Sequence, residues 1–520
     1  MLAETPEMPT PTTADLSPAA DLSPVEDRTG LPSWLIAAVV ATGVALRWFV
    51  LASPLGGLDS DEAVSALVSR EISHGRFPAL IPGLRAGGTL LAYPRALVLA
   101  LTGQSSLAAK LCEVAVFAAA CVVVWRVGRR MFSERHGQIA ALLMWIFPAA
   151  TVWDSTKIRL YYTVALLLVA LGMLFALRLY ERPDSARDVA AFGAIGGLCV
   201  WTHPMAMYAF APTVVWLLIC RPAVIRRALW FIAAAIGASL PWWVHNMRND
   251  WGSLRQPLPS ATSTFRQRFE GFFRGLLPRL TGLRHFYNGP WFLRPWSQII
   301  FVVLGVIAII AIARWRGNRT LLLAICIAYP LLFSIPRNSV FVAEPRYGVP
   351  FVPVLAISAS ALIMWISRGR AIAIAALLAL AAIVTALSLQ HVIDDSDKIA
   401  VQATVLRPIS TDPVWQAIAD QGLQATYADY WLAYRLVFQD RDDVLVIPLS
   451  SDYYGIGGKN QQGADAAFFY RDSACLAGWL EVVKGMGLTA TTEPIGDYVL
   501  VRTPQPVPVP VIAAAMAARC

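Results

Sequence analysis

The chain has 520 residues, of which 57% are hydrophobic and only 15% charged, and its mean hydropathy is +0.55. A soluble domain carries roughly a quarter charged residues, so this composition excludes an ordinary soluble protein and indicates a polytopic membrane protein. The net charge of +9 is mostly arginine. With no nucleic-acid-binding motif beside it, it reads as topology and contact with membrane lipids, and nucleic acid is excluded as a partner.

Residues 1–30 are rich in Pro, Thr, Ala and acid and lack a basic n-region. They are expected to be a disordered cytoplasmic tail, not a signal peptide. Apolar runs predict membrane helices at about 34–52, 107–127, 138–153, 160–180, 188–203, 205–220, 229–245, 297–314, 320–335, 349–367 and 371–390, roughly eleven spans by the length criterion. "TLLAYPRALVLALTG" at 89–103 reads as a further span or a re-entrant helix. If the spans alternate, five short arginine-bearing loops fall on one side: "WRVGRRMFSERHG", "ERPDSARD", "RPAVIRR", "RWRGNR" and "SRGR". That is the positive-inside pattern. It places large outer loops at 53–106 and 246–296. The second contains "FRQRFEGFFRGLLPRL", whose Phe and Leu at helical spacing predict an interfacial helix.

From about 391 the character changes. "DDVLVIPL" and "DYVLVRT" alternate as strands do, and helical stretches surround "DPVWQAIADQGL" and "ACLAGWLEVVKGMGL". A small α/β domain is expected over 391–505, compatible with a three-layer sandwich, on the same side as the large loops. The Pro-rich end, 506–520, is expected to be extended and flexible. Cys112, Cys121, Cys199, Cys220 and Cys326 lie in apolar runs, Cys475 and Cys520 outside them. No CxxC or Cys/His cluster suggests a metal or redox centre.

The chemistry-bearing candidates gather in the outer loops. "GLDSDEAV" after the first span holds Asp59, Asp61 and Glu62. Asp59 and Glu62 have the spacing of a capping box, which leaves Asp61 unexplained. Asp61, with or without Glu62, can act as a general base or hold a divalent cation, Mg or Mn, through oxygen ligands. "WDSTKIRLYY" brings Lys157, Arg159 and Tyr161. "IPRNSVFVAEPRYGVPFVP" brings Arg337, Glu344, Arg346 and Tyr347. "WTHPMAM" places His203 at an outer helix junction. A carboxylate beside several cations suits a nucleophile that must lose a proton and a phosphate leaving group. The plainer alternatives are snorkelling of Lys157 and Arg159 to headgroups, a Glu344–Arg346 surface pair before a proline-led helix, and a structural His203.

"DSDEAVSALVSREISHGRFP", the "GQSSLAAKLCEVAV…WRVGRRMFSERHG…WDSTKIRLYY" run and "EPRYGVPFVPVLAI" together resemble the bacterial membrane glycosyltransferases of the C-type fold. More narrowly, they resemble the protein O-mannosyltransferase and aminoarabinose-transferase group. The resemblance covers about residues 34–390 and implies that 31–390 is a C-type (GT-C) transmembrane glycosyltransferase domain. It implies a polyprenyl-phosphate sugar donor, an acceptor outside the cytoplasmic (inner) membrane of a bacterium, and an extracytoplasmic active site. It further implies Asp61 as base or acceptor-orienting group, with the choice of base among Asp61, Glu62 and Asp59 left open, and inversion at the anomeric carbon in a single displacement. Arg346, then Lys157, Arg159 and Tyr347, would hold the donor phosphate, with Tyr161, His203, Arg337 and Glu344 in substrate reach. "GGTLLAYPRAL" departs from the family's proline-led aromatic element, so the acceptor pocket does not carry over. The rival class is a lipid or anionic-solute transporter or flippase. It would need internal repeats or ionisable groups at mid-depth, and the sequence displays no convincing repeat.

Overall fold

The computed structural model describes residues 30–516 apart from 85, 104, 255–262, 287–288, 337–343, 396–407, 440–443, 461 and 472. A helix stands at each of the eleven apolar runs. α1 (Ser33–Ala52) is followed by α2 (Ser60–Ser73) and α3 (Ala92–Thr102), which occupy the first large loop. Then come α4 (Ser106–Met131), α5 (Glu134–Ile146), α6 (Ala149–Asp154), α7 (Tyr162–Glu181), α8 (Ala186–Thr202), α9 (Met207–Cys220), α10 (Ala228–Ala238) and α11 (Leu240–Arg248). The second large loop carries α12 (Phe265–Gly271) and α13 (Leu277–Leu280). α14 (Trp296–Arg314), α15 (Thr320–Ser334), α16 (Val352–Ser367) and α17 (Ala371–Asp395) complete the bundle.

Among the described residues, six helical segments are long and apolar enough to cross a membrane, or seven if α9 and α10 count as one broken span. Proline interrupts several of the remaining apolar runs. Proline supplies no N–H and its ring clashes with the preceding turn. Pro148 separates α5 from α6, Pro222 stands at the 111° bend between α9 and α10, and Pro241 opens α11. The segment 89–103 is not a full span: α3 is a short helix that packs on α2.

The five arginine-bearing loops meet at one end of the bundle. Arg130 pairs with Glu181 at 2.5 Å, and Asn318 and Arg319 donate to the backbone oxygens of Arg130 and Met131. Arg135 donates to Gly369 O, and Arg221 to Tyr180 O. At the opposite end the first loop is tied down through Gly88, whose N–H donates to Thr202 O at 2.7 Å. A Cβ there would lie 2.1 Å from Trp201 O, so only glycine permits the approach. The helix expected in "FRQRFEGFFRGLLPRL" is present as α12, a π-turn at Phe272–Leu276 and α13. Phe272, Leu276 and Leu280 are buried against the body, while Phe265 and Phe273 are exposed. An apolar groove of about 2510 Å³ runs beside α14, lined by residues such as Phe272, Phe351 and Leu355, with Arg129, Arg314 and Arg319 at its far end.

The C-terminal domain is a three-layer sandwich, as the alternating segments suggest. Strands β1 (Ala425–Ala428), β2 (Leu445–Pro448), β3 (Ala464–Tyr470), β4 (Thr491–Ile495) and β5 (Tyr498–Val507) form one sheet in the order β2-β1-β3-β5-β4. The first three are mutually parallel and β5 is antiparallel to β3 and β4. Side chains alternate across a strand. Phe468 and Tyr470 therefore pack with Trp415 of α18 (Asp412–Asp420) and Leu432 and Leu436 of α19 (Tyr430–Gln439). Ala467 and Phe469 face Trp479 and Val483 of α20 (Ala474–Gly485) on the other side. The Pro-rich end is only partly extended. It is strand to Val507 and then a helix, α21 (Val509–Met516), because the alanine-rich run after Pro510 favours a helix once Ile512 and Met516 are buried.

Candidate active site

The site grows from the first turn of α2. Asp59 is its N-cap. Its Oδ1 accepts from the Glu62 N–H at 2.9 Å, and Glu62 Oε2 accepts from the Asp59 N–H at 3.1 Å. This is the capping box that the spacing predicts. Both carboxylates are fully buried. Buried charges persist only when paired and hydrogen-bonded, and here the partners come from α4 and from the loop after α6. Arg159 grips Asp59 with two parallel bonds of 2.8 and 2.9 Å. Lys157 lies 2.9 Å from Glu62 and 3.4 Å from Asp59, and Lys110 lies 2.6 Å from Glu62. Both lysines also donate to Gly57 O, and the Ile158 N–H donates to Glu62 Oε1.

The electrostatics follow from this cage. Burial by itself pushes the Asp59 carboxyl up, but Arg159 and Lys157 outweigh it and hold the group well below the usual carboxylate range. Glu62 is likewise held down, with burial opposed by Lys110 and Lys157. Burial opposes the Arg159 charge, yet Asp59 and Asp61 beside it raise its pKa well above the ordinary value. Both acids are fixed anions.

Asp61 is placed differently. Its side chain is 28% exposed, the most open of the three. Arg346 Nη1 donates to Oδ2 at 3.0 Å, and the Tyr430 hydroxyl donates to Oδ1 at 2.7 Å. Arg159 reaches to 3.8 Å of the same carboxylate. Arg346 lies in the 3-10 turn Pro345–Phe351 that leads into α16. It also pairs with Glu344 at 2.6 Å and sits over the rings of Tyr347 and Tyr162, 5.4 and 5.9 Å from their centroids. Tyr347 meets Tyr162 edge-on at 6.0 Å.

Asp61, Glu62, Asp59, Lys157, Arg159, Arg346, Tyr347 and Glu344 thus form one continuous cluster. Lys157 and Arg159 are buried against the first-loop acids, so neither snorkels to the lipid surface. His203 does not enter the cluster's ion pairs. Its Nδ1 accepts from the Met205 N–H at 3.2 Å, and its ring stacks on Tyr161 at 4.5 Å, so it acts as a cap for the turn after α8. Tyr161 bonds weakly to the Tyr162 hydroxyl at 3.4 Å. Arg337 lies outside the described residues.

Three members were not singled out from sequence. Lys110 reads as a stray charge at the start of an apolar run. Asp154 stands in the quoted "WDSTKIRLYY", and its position between an apolar run and two cations was the available signal. It is buried, its Oδ2 has no hydrogen-bond partner among the described residues, and burial pushes its carboxyl up to about 7 despite Arg346 and Arg159 nearby. Tyr430, in the C-terminal domain, gave no sequence signal beyond an aromatic-rich stretch.

A divalent cation does not fit this donor set. Both Glu62 oxygens are held by lysines and backbone N–H groups, and those of Asp61 face Tyr430 and Arg346. Among the described residues, no three His, Cys, Asp or Glu side chains form a metal-holding group.

A bundle with interfacial helices in two large loops on one side, capped by an α/β domain over a carboxylate–guanidinium cluster, defines the class: a multi-pass membrane protein of the C-type glycosyltransferase fold. Comparison with known proteins agrees. Residues 88–245 match the family model of dolichyl-phosphate-mannose-protein mannosyltransferases. That segment includes Asp154, Lys157 and Arg159 and leaves out Asp61 and Arg346. The chain superposes on ArnT from Cupriavidus metallidurans bound to undecaprenyl phosphate with a TM-score of 0.58, at 17% identity over 90% of this chain and 97% of that one. The apo state of the same protein gives 0.55 at 16% identity, with the same coverage. No curated protein matches in sequence. The resemblance to the protein O-mannosyltransferase and ArnT-like group is thus shown by a family match over one segment and by the fold over nearly the whole chain.

Proposed function

We propose that this protein is an integral-membrane glycosyltransferase that moves a sugar from a polyprenyl-phosphate carrier to an acceptor at the outer face of a bacterial cytoplasmic membrane. The observation that carries the reading is Asp61. Of the three clustered acids at the start of α2 it is the one with a partly exposed side chain, and it stands beside Arg346. Asp61 takes the proton from an acceptor hydroxyl or amine. The acceptor heteroatom then bonds to the anomeric carbon, and the carbon–oxygen bond to the phosphate breaks with its electron pair leaving on polyprenyl phosphate. One displacement inverts the anomeric centre and needs no covalent enzyme intermediate. Arg346 meets the phosphate as a charge-assisted donor. Lys157 and Arg159, neutralised by Asp59 and Glu62, fix the first turn of α2 that carries Asp61.

Three further features support this reading. The five arginine loops at the opposite end suit a cytoplasmic side by the positive-inside rule, which turns Asp61 and the C-terminal domain outward. The apolar groove is lined in part by Phe351, in the same turn as Arg346, and could take the tail of a lipid carrier. The undecaprenyl phosphate bound to ArnT is a ligand of that chemistry.

The test is a transfer assay on purified protein in nanodiscs, with a panel of polyprenyl-phosphate sugars and candidate acceptors, with and without EDTA, beside Asp61→Asn. Release of free polyprenyl phosphate that requires Asp61 is expected. Insensitivity to EDTA is expected from the donor set. Equal turnover by Asp61→Asn would overturn the assignment of the base. Failure of every donor to bind would favour the transporter reading.

A further inference from the structure

Asp61 is held from two directions by elements remote in sequence. Arg346 comes from the turn before α16. Tyr430 is the first residue of α19 in the C-terminal domain, and its hydroxyl donates to Oδ1 over a separation of 369 residues. The Tyr430 ring is itself fixed. It lies edge-on to Trp431, Tyr434 and Tyr453, with centroids 5.1, 5.5 and 5.9 Å away. Tyr434 is anchored in turn by donating to Ser451 O and accepting from the Tyr453 N–H, both at 2.7 Å.

The docking of the domain does not depend on this one bond. α19 packs along α2, the Tyr454 hydroxyl donates to Val64 O at 3.1 Å, and Arg70 donates to Phe438 O with its guanidinium 5.1 Å from the Phe438 ring. A buried tyrosine hydroxyl needs a partner, but backbone oxygens serve Tyr434 and Tyr454. Tyr430 alone of the three is aimed at the carboxylate of the candidate base.

We propose that Tyr430 is a positioning residue for Asp61, so that the C-terminal domain completes the active site instead of merely covering it. The bond fixes the carboxylate rotamer against Arg346. It occupies one lone pair of Oδ1, and an ionised carboxylate has about four such sites, so a position remains to take the acceptor proton. The inference rests on the transferase reading above.

The experiment compares the full-length wild type with Tyr430→Phe, Tyr454→Phe, Asp61→Asn and the Asp61→Asn/Tyr430→Phe pair in the nanodisc transfer assay, with rates read per mole of monodisperse, folded protein. Tyr430→Phe is expected to lower kcat by about tenfold to a hundredfold, the scale of a misplaced reacting group, with the apparent donor KM unchanged. Tyr454→Phe removes an interface bond from the same domain without touching Asp61, and wild-type kcat is expected. The double variant should be no slower than Asp61→Asn alone. Tyr430→Gln, whose amide can donate to the same oxygen, should recover part of the loss. Wild-type kcat in Tyr430→Phe beside an inactive Asp61→Asn overturns this inference and leaves the transferase reading standing. Equal losses in Tyr430→Phe and Tyr454→Phe overturn it in favour of simple docking. An active Asp61→Asn removes the transferase assignment of the base and the inference with it.

Discussion

The two sides of the first turn of α2 carry the same chemical group in opposite conditions. On the inner side, Asp59 and Glu62 are fully buried, anionic and locked to Arg159, Lys157 and Lys110. On the outer side, Asp61 is partly open and held by one guanidinium and one phenol. A carboxylate in a saturated cage is a poor base, because taking a proton would strand the cations around it. A carboxylate with one open side can be reached by a substrate. On the proposed mechanism the inner pair is the foundation and Asp61 the reacting group, although the three are neighbours in the chain.

Substitutions can break or sharpen that contrast. Asp61→Asn should lower transfer by about 10²–10⁴-fold, the usual contribution of a general base, with membrane yield and thermal unfolding as in the wild type. Glu62→Gln should do the reverse. It leaves buried cations short of an anion, at a cost of about 3–5 kcal/mol, seen as a lower unfolding temperature and poor recovery of folded protein. A stable but inactive Glu62→Gln together with an unstable Asp61→Asn would invert the comparison. Arg346→Ala should raise the apparent donor KM by about tenfold or more, the worth of a charge-assisted hydrogen bond, and leave the acceptor KM nearly unchanged.

A pH-dependent effect concerns Asp154, which shares the cluster's cations. Burial raises its carboxyl from 3.8 to about 7 in the folded protein. Between those values the folded state binds this proton more tightly than the unfolded chain, so its contribution to stability is greatest at the acid end and declines as pH rises toward 7. Asp154→Asn should flatten that decline, at most about 1.4 kcal/mol per pH unit, when unfolding temperature is followed from pH 4 to 7. An unchanged slope would mean that Asp154 is ionised and paired throughout.

Much of this arrangement was legible in sequence, for local reasons. Apolar runs set every helix of the bundle, because the bilayer demands length and hydrophobicity within one segment. The i, i+3 spacing of Asp59 and Glu62 specified their capping box, and alternation of the spans put the acids and cations of three loops on one side. Period-two alternation identified the C-terminal strands. Span continuity was less legible, since the apolar runs do not reveal how far a proline bends the helix, as at Pro222.

What the sequence could not express is which partner each charge meets. Glu62 finds Lys110 and Lys157 at separations of 48 and 95 residues, Asp59 finds Arg159 at 100, and Asp61 finds Arg346 at 285 and Tyr430 at 369. Composition, spacing and sidedness determined a membrane bundle with charged loops gathered on one side and a small α/β domain. Only the tertiary structure decided that two of the acids are caged and the third is partly exposed, and that the C-terminal domain reaches it. Burial and pairing depend on long-range packing, and they decide whether a carboxylate is a structural anion or a base.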